Sequence, residues 1–254
     1  MRIDYSLFAA AVVGFTMLLA QGVAAAEIEV VSVTPFKATL DELGPQFELT
    51  TGHKLTIKYD VSAALKRRIE AGEPFDVALI LAPIIDDLLK QGKVVAGTRA
   101  DIARGAIGVA VKRGAAKPDI NSAEAFKRTL LNAKSIAYSA EGASGIYFTG
   151  LLERLGIVAD TKPKLRPMSA GAVVQPVAKG EVEIAVASVP TVLSEPGAEL
   201  VGRLPPELQH YVVYTGGVGA AAKDAQAAKA LVTFLTAPAA MSVMNSKGLE
   251  PVAP

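Results

Sequence analysis

The sequence predicts a two-lobed α/β fold built mainly on parallel sheets. Three observations carry that prediction. Short apolar, β-branched runs alternate with segments of helical periodicity along the chain. A length of 254 residues suits two lobes of about 100 residues each better than one sheet. Finally, a turn of small or polar residues leading into a helical segment recurs at 34–37, 60–64, 141–147 and 169–173. A helix start carries free backbone N–H groups and a partial positive charge. Several such starts aimed at one cleft would hold a small oxyanion without a metal, a cofactor or a ring of arginines.

The elements follow in order. EIEVVSV at 27–33 reads as a first strand. A helix over 38–47 has Leu40, Leu43 and Phe47 at helical spacing, with Pro45 as a possible kink. KLTIKY at 54–59 alternates as a second strand, and 65–71 is a basic amphipathic helix closed by Gly72. FDVALIL at 75–81 has the continuous apolar character of a buried parallel strand, followed by a helix over 84–91. AIGVAVK at 106–112 crosses into a second lobe. There, a helix over 122–132 is capped by Ser122, a strand spans 135–139, and a helix over 146–155 ends at Gly156. A helix over 172–179 carries Pro176, which kinks it or marks a later start, a strand follows at 182–188, and 199–204 leads to a Pro-Pro break. After the Pro205–Pro206 break, 211–218 is the return crossing, and helices over 225–235 and 238–246 close the chain. The implied organisation is a first lobe over 27–105, rejoined by about 216–254, and a second lobe over 106–215.

Residues 1–26 read as a secretory signal peptide. Arg2 supplies the positive start, Phe8 to Ala20 is too short an apolar run to span a bilayer, and Val23 to Ala26 offers small residues for cleavage after Ala26. The expected compartment is therefore the periplasm. The formal charge of +1 is too balanced for electrostatic capture of nucleic acid. The chain contains no cysteine, which excludes disulfides, thiolate metal sites and Cys nucleophiles. Its two histidines, His53 and His210, sit in separate loops and do not form a metal pair, and no cofactor is expected.

Three motifs carry a resemblance. Ile69-Glu70-Ala71-Gly72-Glu73-Pro74-Phe75-Asp76 is one, Gly145-Ile146-Tyr147 followed by Leu155-Gly156 is a second, and Lys179-Gly180-Glu181 leading to Glu183-Ile184-Ala185-Val186 is the third. In this order and spacing the chain resembles the molybdate-binding branch of periplasmic solute-binding proteins, the capture subunits of ABC-type importers. The resemblance implies a type II periplasmic-binding-protein fold with an oxyanion in the interlobe cleft, held by hydroxyls and backbone N–H groups. It further implies a membrane permease as partner and a monomeric chain.

Carried over residue by residue, the first contact falls at Pro35, where the family has a serine. Proline offers neither hydroxyl nor N–H, so Thr34 beside it substitutes. The other contacts fall on Ser62, on Ser144 with Gly145, near Ala170, and on Ser188, where the family has a tyrosine. Each has a plainer role open to it: a turn hydroxyl at Thr34, a helix cap at Ser62, a helix start at Ser144, a loop at Ala170 and a strand end at Ser188. Asp60 would repel a dianion unless a base such as Lys37 or Arg67 pairs with it or it points away. These departures keep a small organic anion open as cargo. An enzyme on the same scaffold is the third reading, disfavoured because no G-x-S-x-G elbow or Cys nucleophile is present and neither histidine lies in a catalytic motif.

Overall fold

The computed structural model describes residues 25–169 and 171–252. The expected signal peptide therefore falls almost wholly outside the described residues, and so does Ala170. Strand β1 (Glu27–Val33) runs through a 3-10 turn (Thr34–Phe36) into helix α1 (Lys37–Thr51). Then come β2 (Lys54–Asp60), α2 (Ser62–Glu70), β3 (Val77–Leu81) and α3 (Ala82–Lys90). β1 lies between β2 and β3 and is parallel to both. Its continuous apolar run is buried, whereas β2, at the sheet edge, alternates exposed and half-buried positions as its sequence does. Pro45 does not end α1: the helix continues to Thr51, and Gly52, at φ 77°, caps it by donating its N–H to the Glu48 carbonyl.

β4 (Ala100–Lys112) is the long crossing strand. It starts six residues before the expected 106. Residues 100–106 pair with the returning β9 (Tyr211–Val218), and 107–111 pair with β7 (Ile184–Ser188) in the second lobe. Between these strands the second lobe holds α4 (Ala123–Asn132), β5 (Ile136–Ser139), α5 (Ala143–Arg154), α6 (Val158–Thr161), β6 (Leu165–Met168) and α7 (Gln175–Lys179). β7 is followed by α8 (Val189–Leu193) and β8 (Ala198–Arg203), and the chain closes with α9 (Ala225–Thr236), α10 (Pro238–Ser246) and β10 (Leu249–Glu250). The main strand order is β2-β1-β3-β9-β4-β7-β5-β6. Where helices cross over, the pairs are parallel; every antiparallel pair involves β4 or β9.

Each half has its own core. Phe36, Leu40, Phe47, Leu79 and Leu231 belong to the first, while Phe126, Phe148, Leu151 and Val186 belong to the second. Asp76, the last residue of the first motif, is buried and structural. One of its carboxylate oxygens accepts the Glu29 N–H at 2.7 Å and the other accepts the Lys223 N–H at 2.7 Å. It thereby ties β1 to the loop before α9, at the end of the sheet away from the cavity described below. At the same end, Ala26 donates its N–H to His53 Nδ1 and accepts from the Lys54 N–H. Cleavage after Ala26 would remove both bonds.

Candidate functional site

The carboxyl ends of β1, β2, β3, β5 and β7 converge on one cavity, the position where open α/β sheets generally bind ligands. Its volume is about 60 Å³, room for a few waters or one compact ligand, since a single water needs roughly 10–15 Å³. The walls come from both halves. The first half contributes Val33, Thr34, Pro35, Asp60, Val61, Ser62, Leu81 and Tyr214, and the second contributes Ser139, Gly142, Ala143, Ser144, Gly171, Val173, Ser188 and Thr191.

The site is made of helix starts and hydroxyls. The turn 34–36 opens α1, and Val61, Leu81, Gly142 and Ser188 precede α2, α3, α5 and α8, so five helical N-termini border the cavity. Their first-turn N–H groups lack helical acceptors. The fourth expected turn, 169–173, does not start a helix: α7 begins later, at Gln175, consistent with Pro176 in its first turn. Gly171 nonetheless reaches the wall, and at φ 79° it fits against the Thr34 methyl, where a Cβ would lie 3.2 Å away.

The hydroxyls have partners that leave protons for a ligand. Ser62 is not a helix cap; its Oγ accepts the Leu81 N–H at 3.3 Å, and the capping position is Val61. Ser139 Oγ accepts the Gly142 N–H at 3.0 Å. A serine that accepts still has its own O–H to donate. Ser188 Oγ and Thr191 Oγ1 are hydrogen-bonded at 2.8 Å. Ser62, Ser139, Ser144 and Ser188 are all at most 8% exposed, so any bond they form with a ligand is shielded from bulk water.

Of the residues singled out from sequence, Thr34, Pro35, Ser62, Ser144 and Ser188 line this cavity. Gly145 does not; it packs one turn into α5 against the Ser139 backbone. Ser139, Thr191 and Tyr214 were not anticipated. The end of an expected strand could have flagged Ser139. Thr191 sits on a five-residue helix with no periodicity to reveal it, and Tyr214 was absorbed into a crossing strand.

Among the described residues, no Lys or Arg lines the cavity, and Asp60 is the one carboxylate in its wall. Neither expected base serves it. Lys37 pairs with Asp41 at 2.8 Å, and Arg67 faces Glu141 at 4.0 Å. Instead Asp60 accepts the Val61 N–H at 2.8 Å, and Arg68 stands 3.8 Å from its other oxygen. That arrangement draws its charge away from the cavity centre. The histidines have structural partners: His53 bonds to Ala26, and His210 stacks on Tyr147 at 4.7 Å.

Comparison with known proteins bears on the same architecture. The family model for bacterial extracellular solute-binding proteins matches residues 28–250. An aconitate isomerase from a Pseudomonas species is 33% identical over 231 residues, covering 89% of this chain and 88% of that protein. The molybdate-binding protein ModA of Azotobacter vinelandii is 30% identical over 242 residues, covering 91% of this chain and 92% of that one. Among solved structures, the Azotobacter vinelandii periplasmic molybdate-binding protein superposes with a TM-score of 0.75 at 20% identity, covering 89% of this chain and 99% of that chain. The two-lobed binding-protein fold is thus shared.

Proposed function

The chain belongs to the bacterial extracellular solute-binding protein family, and from that premise we propose that it captures a compact oxyanion of the molybdate or tungstate kind for an ABC importer. One observation carries this reading: five helix starts and the hydroxyls of Thr34, Ser62, Ser139, Ser144 and Ser188 surround a cavity of about 60 Å³ with no cationic side chain in its wall among the described residues. Neutral donors held in fixed positions compensate a dianion without a counter-charge, and helix N-termini add a favourable field. Pro35 shapes the wall and contributes no donor. The protein works in the periplasm as a monomer and delivers its cargo to a membrane permease after the halves close on it, with β4 near 106–107 and the segment before β9 as the flexing connections.

A second reading has its own support. The 33% identical relative is named an aconitate isomerase, and Asp60 in the wall is a carboxylate able to take up a proton. On this reading the guest is an unsaturated polycarboxylate, and Asp60 moves a proton between two of its carbons. A trianion in a wall without lysine or arginine is the weaker electrostatic match, which ranks this reading second.

One experiment separates them. Thermal melting with molybdate, tungstate, sulfate, phosphate, cis-aconitate and trans-aconitate is run beside an absorbance assay for interconversion of the two aconitates. Molybdate or tungstate at 100 times its Kd is expected to add about 2.7 kcal/mol of stability, with no interconversion. A shift with aconitates alone, or turnover lost in Asp60→Asn, overturns the oxyanion reading.

A further inference from the structure

We infer that Tyr214 is a ligand-contacting residue, a buried phenol that shares the cavity wall with the hydrogen-bonded pair Ser188–Thr191. This rests on the cavity being the ligand site, but not on which anion fills it.

The geometry is specific. Tyr214 lies on β9, paired with Leu81 of β3 and Ala103 of β4 in the first sheet. Ser188 ends β7, opposite Ile107 in the second sheet. Ser188 Oγ is hydrogen-bonded to Thr191 Oγ1 at 2.8 Å. All three residues line the cavity.

The ring is held where it is. It meets Phe36 edge-on, with centroids 5.4 Å apart and planes at 82°. Gly105 leaves the space behind it, because a Cβ there would lie 3.0 Å from Tyr214 Cε2 and 3.3 Å from its hydroxyl oxygen. Tyr214 is 3% exposed, and burial raises the phenol well above its ordinary range. The hydroxyl therefore stays protonated and acts as a donor.

Counting protons gives the chemistry. Each hydroxyl brings one proton and two acceptor sites. The Ser188–Thr191 bond uses one of the three protons, and the phenol keeps its own. In a wall this buried, that proton belongs to whatever occupies the cavity, because an unpaired buried donor is costly. A ligand oxygen that accepts it and also meets Ser188 or Thr191 is tied to both halves of the molecule. The arrangement favours ligands with an unprotonated oxygen at that point.

The test uses Tyr214→Phe, which keeps the ring against Phe36, together with Ser188→Ala, the double variant, and Tyr211→Phe as a control. Tyr211 is on the same strand but stacks on Arg104 outside the cavity. Affinity for molybdate, tungstate, sulfate, cis-aconitate and trans-aconitate is measured by calorimetry, and the ligand-free melting midpoint is recorded for every variant. Tyr214→Phe is expected to weaken binding by roughly tenfold or more, as for a lost hydrogen bond to a charged group. The ligand-free midpoint should stay near wild type, Tyr211→Phe should bind normally, and the double variant should lose less than the product of the single losses. If wild type binds a probe and Tyr214→Phe binds it equally well, the inference fails while the capture reading stands. If wild type binds only an aconitate and Tyr214→Phe weakens it, the inference stands and the oxyanion reading fails. If no probe binds wild type, both are overturned.

Discussion

A methyl group at position 145 would sit 1.7 Å from the Ser139 carbonyl oxygen, and one at 142 would sit 2.6 Å from the Ser139 hydroxyl. A side chain at 145 would force the Ser139 backbone to move, and one at 142 would displace the Ser139 side chain. Gly142 and Gly145 thus let α5 start directly on the end of β5, and this close approach brings Ser139 and Ser144 to the same wall. Gly145 acts by positioning, although it does not touch the cavity. The Gly145→Ala variant is expected to lose about 1–3 kcal/mol of stability, the usual cost of overpacking, and to lose most of the ligand-induced melting shift. Gly150→Ala, in the same helix with open space around its Cβ position, is the control; equal behaviour of the two variants by calorimetric melting would refute the argument. Tyr214 shows the same division of labour in reverse. The resemblance implies a tyrosine where Ser188 stands, but the phenol in this wall arrives from β9 on the opposite sheet.

At the scale of elements, the connection from α2 to β3 is clamped by charge. Glu73 accepts from Arg68 Nε at 2.5 Å and Nη2 at 2.6 Å and from Lys58 Nζ at 3.0 Å, while its N–H donates to the Arg68 carbonyl. The Arg68 and Lys58 hydrogen bonds hold its carboxyl at about 2, below the usual 4.5. A depressed carboxylate stabilises the fold above its unfolded pKa, and that contribution is lost as pH falls from about 4.5 towards 2. Partial exposure of the cluster screens the effect to about 1 kcal/mol. Glu73→Gln should therefore lower the melting midpoint at pH 7 and leave it nearly equal to wild type at pH 2.5; an equal gap at both would contradict the clamp. The sequence exposed this connection only as part of a motif, and that limit is general here. Strong periodicities such as Leu40, Leu43 and Phe47, or the cap Ser122, located helices well, because local spacing and capping chemistry decide them. β6, α8 and β10 were not legible: LRPM contains a proline on an edge strand, and the other two are five and two residues long. The site was half legible for a related reason. Residues at helix starts can be read from a turn, whereas Tyr214 reaches the cavity only through pairing of β9 with strands distant in sequence, and the five-residue α8 is too short for periodicity to reveal Thr191. Asp60 misled similarly, since its partner Arg68 lies one residue beyond the expected Arg67 and so on a different face of α2.

At the scale of the whole molecule, capture requires the two halves to close and reopen, so contacts that cross the cleft set the balance. Arg67 on α2 and Glu141 in the turn before α5 face each other at 4.0 Å, next to the walls formed by Ser62 and Gly142. Both side chains are two-thirds exposed, at 67%, so the pair is weak and screened by salt. It is placed to favour the closed form without locking it, which suits a protein that must release its cargo. Charge reversal separates pairing from simple attraction of an anion. Arg67→Glu makes the mouth more negative, and Glu141→Arg makes it more positive, so steering alone would move anion affinity in opposite directions. Repulsion across the cleft moves both the same way. Each single reversal is expected to weaken binding about two- to fivefold at low ionic strength, in line with the small coupling of exposed pairs. The double reversal keeps the wild-type charge and should restore binding. At about 1 M salt, where the screening length falls to about 3 Å, all four proteins should bind alike. If the single variants shift in opposite directions, or the double reversal fails to recover, the pair has no part in closure, and the balance between open and closed forms rests on the cavity wall and the crossing strands alone.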